Sequence, residues 1–513
     1  MADRRKNSKR LSSRRDVTRR KFISTGSAGL MGTAGLLGSS NMLGSGAPLF
    51  GAAGIDEDPT GGLPGFGRAK QLIILYLYGA PSQMETLDPK IDGPSDMRGA
   101  FKSIPTRYPG IHVSELLPDI GKIIDKFALV RTFSHESNNH AASVTLSGIP
   151  RSEPAIEANG KDDRHWPYFG SVLEYLWKQQ GVDATKTGIP VHMILPWHLN
   201  SKTDPRRWVP NAGWLGTQYN PVLPIFDGKG ALEKGLPTIQ GQTPIFSRHN
   251  PFHATTPEST FRFEGTQLPE SVSKERFEAR RQLLGHLDAA GAELLSGRGD
   301  SMARYQDVAF RMIADPRVAE AVDVTRESEE VREKFGHTLV GMEFLAARRL
   351  IQAGVKVVTA IWDTYGDNNA AWDTHVNALP RLKNFLCPTF NKVLPAFVED
   401  MERHGLLEDT LVMCISEHGR TPKITNCAGS GREHWSGAYW GLFFGAGIKT
   451  AQVIGETDKV GAFPITDPYN PKDVLATMYH LLGFPPHLST VPDRNGRPTP
   501  ILPFGKVMAE LLA

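Results

Sequence analysis

Three long apolar runs constrain this chain more than any other feature. They are Gln71–Tyr78 (QLIILYLY), Val355–Trp362 (VKVVTAIW) and Thr410–Ser416 (TLVMCIS). A strand with one wet face alternates apolar and polar residues; a run without alternation is covered on both faces, as in parallel sheets. Ala128–Thr132, Val191–Leu195 and Tyr439–Phe444 read as further buried strands. Between them lie helical patterns at Ser114–Lys126, His140–Leu146, Leu173–Gln179 and Pro471–Leu482, and a long one over Asn377–His404 expected to kink near Pro388 and Pro395. Alternation of strands and helices predicts an α/β fold: a mostly parallel central sheet with helices on both faces. Residues 196–268 show no period and read as a loop insertion, and 270–353 as a helical insertion. With 40% apolar and 22% charged residues the chain can bury a large core, and global disorder is excluded.

The net charge of +3 conceals an asymmetry. Residues 1–22 carry ten basic side chains against two acidic ones, so +8 sits there and −5 on the remainder. An acidic body has no electrostatic footprint for nucleic acid. Thr18-Arg19-Arg20-Lys21-Phe22-Ile23 followed by a weakly apolar Gly/Ala/Leu stretch fits a twin-arginine export signal over residues 1–50. It implies the export machinery as a partner, a linker over 51–69, a single domain over 70–513, and a periplasmic or extracellular location. Polar breaks in the stretch argue against a stable membrane span. Three cysteines, Cys387, Cys414 and Cys427, cannot build a disulfide scaffold or a multi-cysteine zinc site.

Open α/β sheets bind ligands at the carboxyl ends of their strands, and here the chemistry-bearing residues follow the strands. Glu85 and Asp88 come after the first run, and Asn138 and His140 after Ala128–Thr132. Asp373 and His375 follow Val355–Trp362; Glu417, His418 and Arg420 follow Thr410–Ser416. Arg432 and His434 precede the Tyr439 strand. Imidazole with carboxylate suits Zn²⁺, Mn²⁺ or Fe, whereas carboxylates alone suit Mg²⁺ or Ca²⁺.

The order of these segments resembles the alkaline phosphatase/sulfatase superfamily. More closely, the chain resembles the bacterial family called domain of unknown function 1501. The stretches that carry this likeness are Gly79-Ala-Pro-Ser-Gln-Met-Glu85-Thr-Leu-Asp88-Pro-Lys90, Trp372-Asp-Thr-His375, Ser416-Glu-His-Gly-Arg-Thr-Pro422, Gly431-Arg-Glu-His-Trp435 and the tail from Asp467 to His480. The resemblance implies an alkaline phosphatase-like domain that hydrolyses sulfate or phosphate esters, on small molecules or polysaccharides, with one or two divalent ions (Zn, Mn or Ca). It assigns the ions to Glu85, Asp88, Asp373, His375, Glu417, His418 and His434. Arg420 and Arg432 are expected to clamp the ester oxygens, His140 or His434 to protonate the leaving group, and Asn138 to occupy the nucleophile position. Two departures stand out: glutamates at 85 and 417 replace the usual aspartates, and asparagine is no nucleophile. No Cys/Ser-x-Pro-x-Arg signature is present, which speaks against formylglycine chemistry. The alternative is a non-catalytic binding protein on the same fold.

Overall fold

The computed structural model describes the chain from residue 60 onward, apart from stretches within 150–163, 203–209, 234–247, 265–298 and 367–370. The expected export signal therefore lies outside the described residues. Seven strands form the central sheet: β1 (Gln71–Leu77), β2 (Ala128–Phe133), β3 (His192–Leu195), β4 (Val357–Trp362), β5 (Thr410–Ile415), β6 (Tyr439–Gly445) and β7 (Gln452–Ile454). Their spatial order is β7-β2-β6-β5-β1-β4-β3.

β1 lies at the centre, parallel to β4 from Leu72↔Val357 and to β5 from Gln71↔Thr410. β4 is parallel to β3, and β2 to β7. Only β6 opposes its two neighbours, and the reason is local. Returning parallel to β5 needs a crossover, usually a helix, and residues 416–438 contain none. The chain instead loops over the carboxyl end of the sheet and runs straight back.

Side-chain period then decides which helix covers which face. Tyr76 and Thr359, whose Cα partner is Ile74, share one face. Tyr76 bonds Thr145 of helix α1 (Ala142–Ser147), and Thr359 bonds Tyr168 at the start of α2 (Phe169–Gln179). Gln71 points the other way and donates to the carbonyl of Ile351 in α3 (Leu339–Gln352). On α3 packs α4 (Cys387–Arg403), through Phe344 against Phe397 and a buried Arg348–Asp400 ion pair at 2.6 Å. Every residue of β4 and β5 is buried, as uninterrupted apolar runs require.

Four local features refine the sequence reading, each with a physical cause. The helix expected over Ser114–Lys126 shrinks to Pro118–Lys122 and a 3₁₀ turn, because proline is tolerated in the first turn and not deeper; His112–Ser114 pairs instead with Ser103–Pro105. In the 377–404 segment a π-helical turn at Leu382–Leu386 comes just before Pro388, which falls in the first turn of Cys387–Arg403, while Pro395 sits inside that helix without breaking it. The 196–268 insertion is partly folded, with ribbons Ile225–Asp227/Thr260–Arg262 and Gly230–Glu233/Arg248–Thr255. β7, three residues long, was too short to show a pattern. Within 270–353, Gly299–Ala314, Arg317–Val322, Glu329–Phe335 and α3 are helical. All three cysteines are free thiols. Among the described residues no helix is long and apolar enough to cross a membrane.

Candidate metal centre

Asp373 is the hub of the carboxyl-end cluster. Its Oδ2 lies 3.0 Å from His140 Nε2. Its Oδ1 lies 2.9 Å from His375 Nε2, 3.2 Å from His434 Nε2 and 2.5 Å from Arg420 Nη2. The two imidazole nitrogens, His375 Nε2 and His434 Nε2, stand 3.0 Å apart. His418 joins from the other side, with ring centroids 4.7 Å from His434 and 5.3 Å from His140. Two overlapping sets, His140/His418/His434 and Asp373/His375/His434, each bring their ligand atoms within 4.8 Å of one another. Bonds of about 2.0–2.2 Å to a shared ion demand spacing of this order.

Each side chain is placed by backbone that the sequence dictates. Glu417 and His418 lie at the end of buried β5, so the strand itself drives them into the interior. His434 sits on a two-residue ribbon in which Arg420 faces His434 and Gly419 faces Trp435. Gly431 lets that loop pass against the carbonyl of His375, where a Cβ would collide. Tyr78, following β1, packs its ring 5.2 Å from His140.

Hydrogen bonds at the far side of two rings fix their tautomers. His418 Nδ1 donates to the carbonyl of Gly419 at 2.8 Å. His375 Nδ1 lies 2.5 Å from Glu433. Both rings therefore turn a bare Nε2 lone pair into the cluster, the arrangement that outer partners impose on metal-binding histidines. His418 Nε2 and Glu417 Oε2 are fully buried without a hydrogen-bond partner. Such orphaned acceptors cost free energy unless something electropositive meets them.

The charges follow from this packing. Burial works against ionised Asp373, but His140 and Arg420 outweigh it and hold the carboxyl well below the usual range. Burial works equally against protonated His140, yet Asp373 and Glu417 on its two sides raise it. Burial, with the other imidazoles adding, keeps His418 well below its ordinary value and pushes His434 down to about 4. At neutral pH both are therefore bare bases, as ligation requires.

Not every residue expected at the site is there. Glu85 is held by Arg432 through two contacts at 2.6 and 2.9 Å and also engages Ser82 and the amide of Ala100. Neither partner of that buried pair is left for an ion or an ester. Asp88 is taken by Lys90, Arg131 and Thr457. Arg420, wholly buried, donates to Asp373 and to the carbonyls of Gly79, Ala80 and Arg432, so it ties loops together instead of presenting a clamp. Asn138 accepts from the amide of Ser436 and braces the His434 loop. Glu417 reaches the cluster through its Oε1, 2.8 Å from His140 Nδ1 and 2.7 Å from the amide of Gly79. His140 stands inside the ligand group rather than beside it. Glu433, which orients His375, was given no role from sequence; its position directly before His434 was the available signal.

Fold and site together define an α/β protein that carries a buried imidazole–carboxylate donor set at the carboxyl ends of a mostly parallel sheet. The chain belongs to the family described as "Protein of unknown function (DUF1501)", whose model matches residues 69–512. No curated protein matches it. Among solved structures it is similar to the PsFucS1 sulfatase from Pseudoalteromonas sp., at 13% identity and a TM-score of 0.37, covering 87% of this chain and 72% of that one. It is also similar to Ps i-CgsB, at 9% identity and a TM-score of 0.37, covering 81% and 72%.

Proposed function

We propose that this protein is an exported metal-dependent hydrolase of sulfate or phosphate esters. The observation that carries the reading is the orphaned buried acceptor His418 Nε2, in a cluster where His140, Asp373, His375 and His434 fall into two overlapping sets at ligand spacing. Four imidazoles against few carboxylates fit Zn²⁺ and do not fit Ca²⁺, which takes oxygen ligands. Such an ion, when bound, polarises an ester oxygen and lowers the pKa of a bound water. An amide at 138 cannot act as a nucleophile, so this position offers no side chain for covalent attack and a hydrolytic water would have to serve. Export rests on Arg19-Arg20 and the apolar stretch after them; replacing both arginines by lysine traps the protein in the cytoplasm if the twin-arginine pathway carries it, and unchanged export rejects that route.

Activity is tested with p-nitrophenyl sulfate and p-nitrophenyl phosphate on zinc-loaded full-length protein. The reading predicts turnover that His418→Ala lowers by about 10² or more. Stoichiometric metal without turnover of any ester supports the second reading, a non-catalytic binding protein. That reading is favoured by one observation: Arg420 and Arg432 are both spent on internal partners, leaving the cluster without a guanidinium clamp.

A further inference from the structure

The cluster has no spare cation of its own, but a neighbouring cleft does. A cavity of about 520 Å³ opens beside the carboxyl ends of β3 and β4, where the 196–268 insertion folds over them. Trp197, Phe226 and Tyr365 form its aromatic wall, and Lys202, Lys229 and His249 line it with nitrogen. The volume lies within the range of small-molecule sites, about 300–1,000 Å³.

The lysines are available. Neither Lys202 nor Lys229 has an ion-pair partner among the described residues, and both are exposed. The carboxylate beside them on the ribbon, Asp227, is taken by Arg262 at 2.7 Å. Lys202 Nζ stands 5.4 Å from the centre of the Trp197 ring, which holds its charge at the cleft wall. The aromatic wall is itself rigid: Trp197 packs against Phe252 and Tyr365, each with ring centroids 5.9 Å away.

A short relay of contacts joins this wall to the imidazoles. Trp197 Nε1 donates to Asp363 Oδ2 at 2.9 Å, and the amide of Asn200 donates to the same oxygen at 2.9 Å. Asn200 Nδ2 bonds Tyr78 Oη at 3.1 Å, and Tyr78 packs on His140. A chain of four contacts thus links the cleft wall at Trp197 to the ring of His140.

We propose that this cleft binds a ring-bearing polyanion, its ring on the aromatic wall and its negative groups on Lys202 and Lys229. Aromatic faces take sugar or base rings, and unpaired lysines on one wall attract more than one negative charge. A sulfated saccharide and a nucleoside polyphosphate share this chemistry. As the recognition half of a substrate whose ester is cut at the cluster, the assignment rests on the hydrolase reading; as a binding site it does not.

The test is isothermal titration of the full chain with sucrose octasulfate, ATP, sucrose and inorganic sulfate, at low and moderate salt. The expectation is that sucrose octasulfate, ATP or both bind at least about tenfold more tightly than sucrose or sulfate, with the two polyanions' ranking showing which source is preferred. The double variant Lys202→Ala/Lys229→Ala is expected to weaken the tighter polyanion about tenfold while metal content and Tm stay unchanged, since both side chains are exposed and unpaired. His418→Ala is expected to lose metal and keep the polyanion. Equal affinity in the double variant, or sucrose binding as tightly as its octasulfate, overturns the proposal. Absence of ester hydrolysis by the zinc-loaded wild-type protein, with polyanion binding intact, counts against the hydrolase reading alone.

Discussion

At the scale of single residues, the site is governed by which nitrogen of each ring is free. Glu433 fixes His375 from outside the cluster, and Gly419 fixes His418. Removing an outer partner of a ligand usually costs about 10–100-fold in metal affinity. Glu433→Ala is therefore expected to weaken zinc binding by that factor in competition with a chromophoric chelator, while Glu402→Ala, on the exposed surface, leaves it unchanged. A second residue-scale prediction concerns Asp363 under the aromatic cleft. Burial pushes this carboxyl up to about 7 from an ordinary 3.8, despite the hydrogen bonds it accepts from Trp197, Asn200 and Thr364. The folded state thus holds a proton that the unfolded state releases near 3.8. Asp363 favours folding fully below 3.8, and that contribution is lost as pH rises through about 7. Against wild type, Asp363→Asn should gain stability steadily between pH 4 and pH 7 and stay level above, as read by denaturant midpoints. A difference that does not vary with pH would show that Asp363 is charged throughout.

At the scale of elements, the loop from Thr425 to Trp435 matters most, because it brings His434 to Asp373 without a helix to support it. Gly431 is the tight point, where the backbone runs against the carbonyl of His375. Gly431→Ala must push one strand of the loop away, so it is expected to reduce zinc affinity by about tenfold or more with a smaller fall in Tm. Unchanged affinity would mean that His375 and His434 do not act together. The same loop shows why sequence disclosed some of the site and not the rest. The strands were legible because uninterrupted apolar runs have few other places to go. Glu417 and His418 were legible with them, since a residue at the end of a buried strand inherits its position. Partner choice was not legible. Glu85, Asp88, Arg420 and Arg432 are of the right types at the right strand ends, yet they neutralise one another or neighbouring loops. A sequence shows that charges must be paired when buried, but the pairing depends on loop paths that no period encodes. His140 was legible as a candidate from its place after Ala128–Thr132, but as a proton donor; its membership of the ligand group depends on the loop path between β2 and α1.

At the scale of the whole molecule, the sheet gathers residues from five separate stretches of chain onto one edge, and the insertion over β3 and β4 adds a charged aromatic cleft beside them. A binding protein and a hydrolase both need that layout; what they share first is the ion. The central claim is that Asp373, His140, His375, His418 and His434 hold a divalent metal. The most direct measurement is elemental analysis of the full-length protein after growth with zinc, beside His418→Ala and the exposed control Glu402→Ala. The account predicts about one zinc per chain in wild type and control and a loss of most of it in His418→Ala. A wild-type protein that stays empty in zinc and manganese alike, with the same fold and stability as His418→Ala, would contradict it.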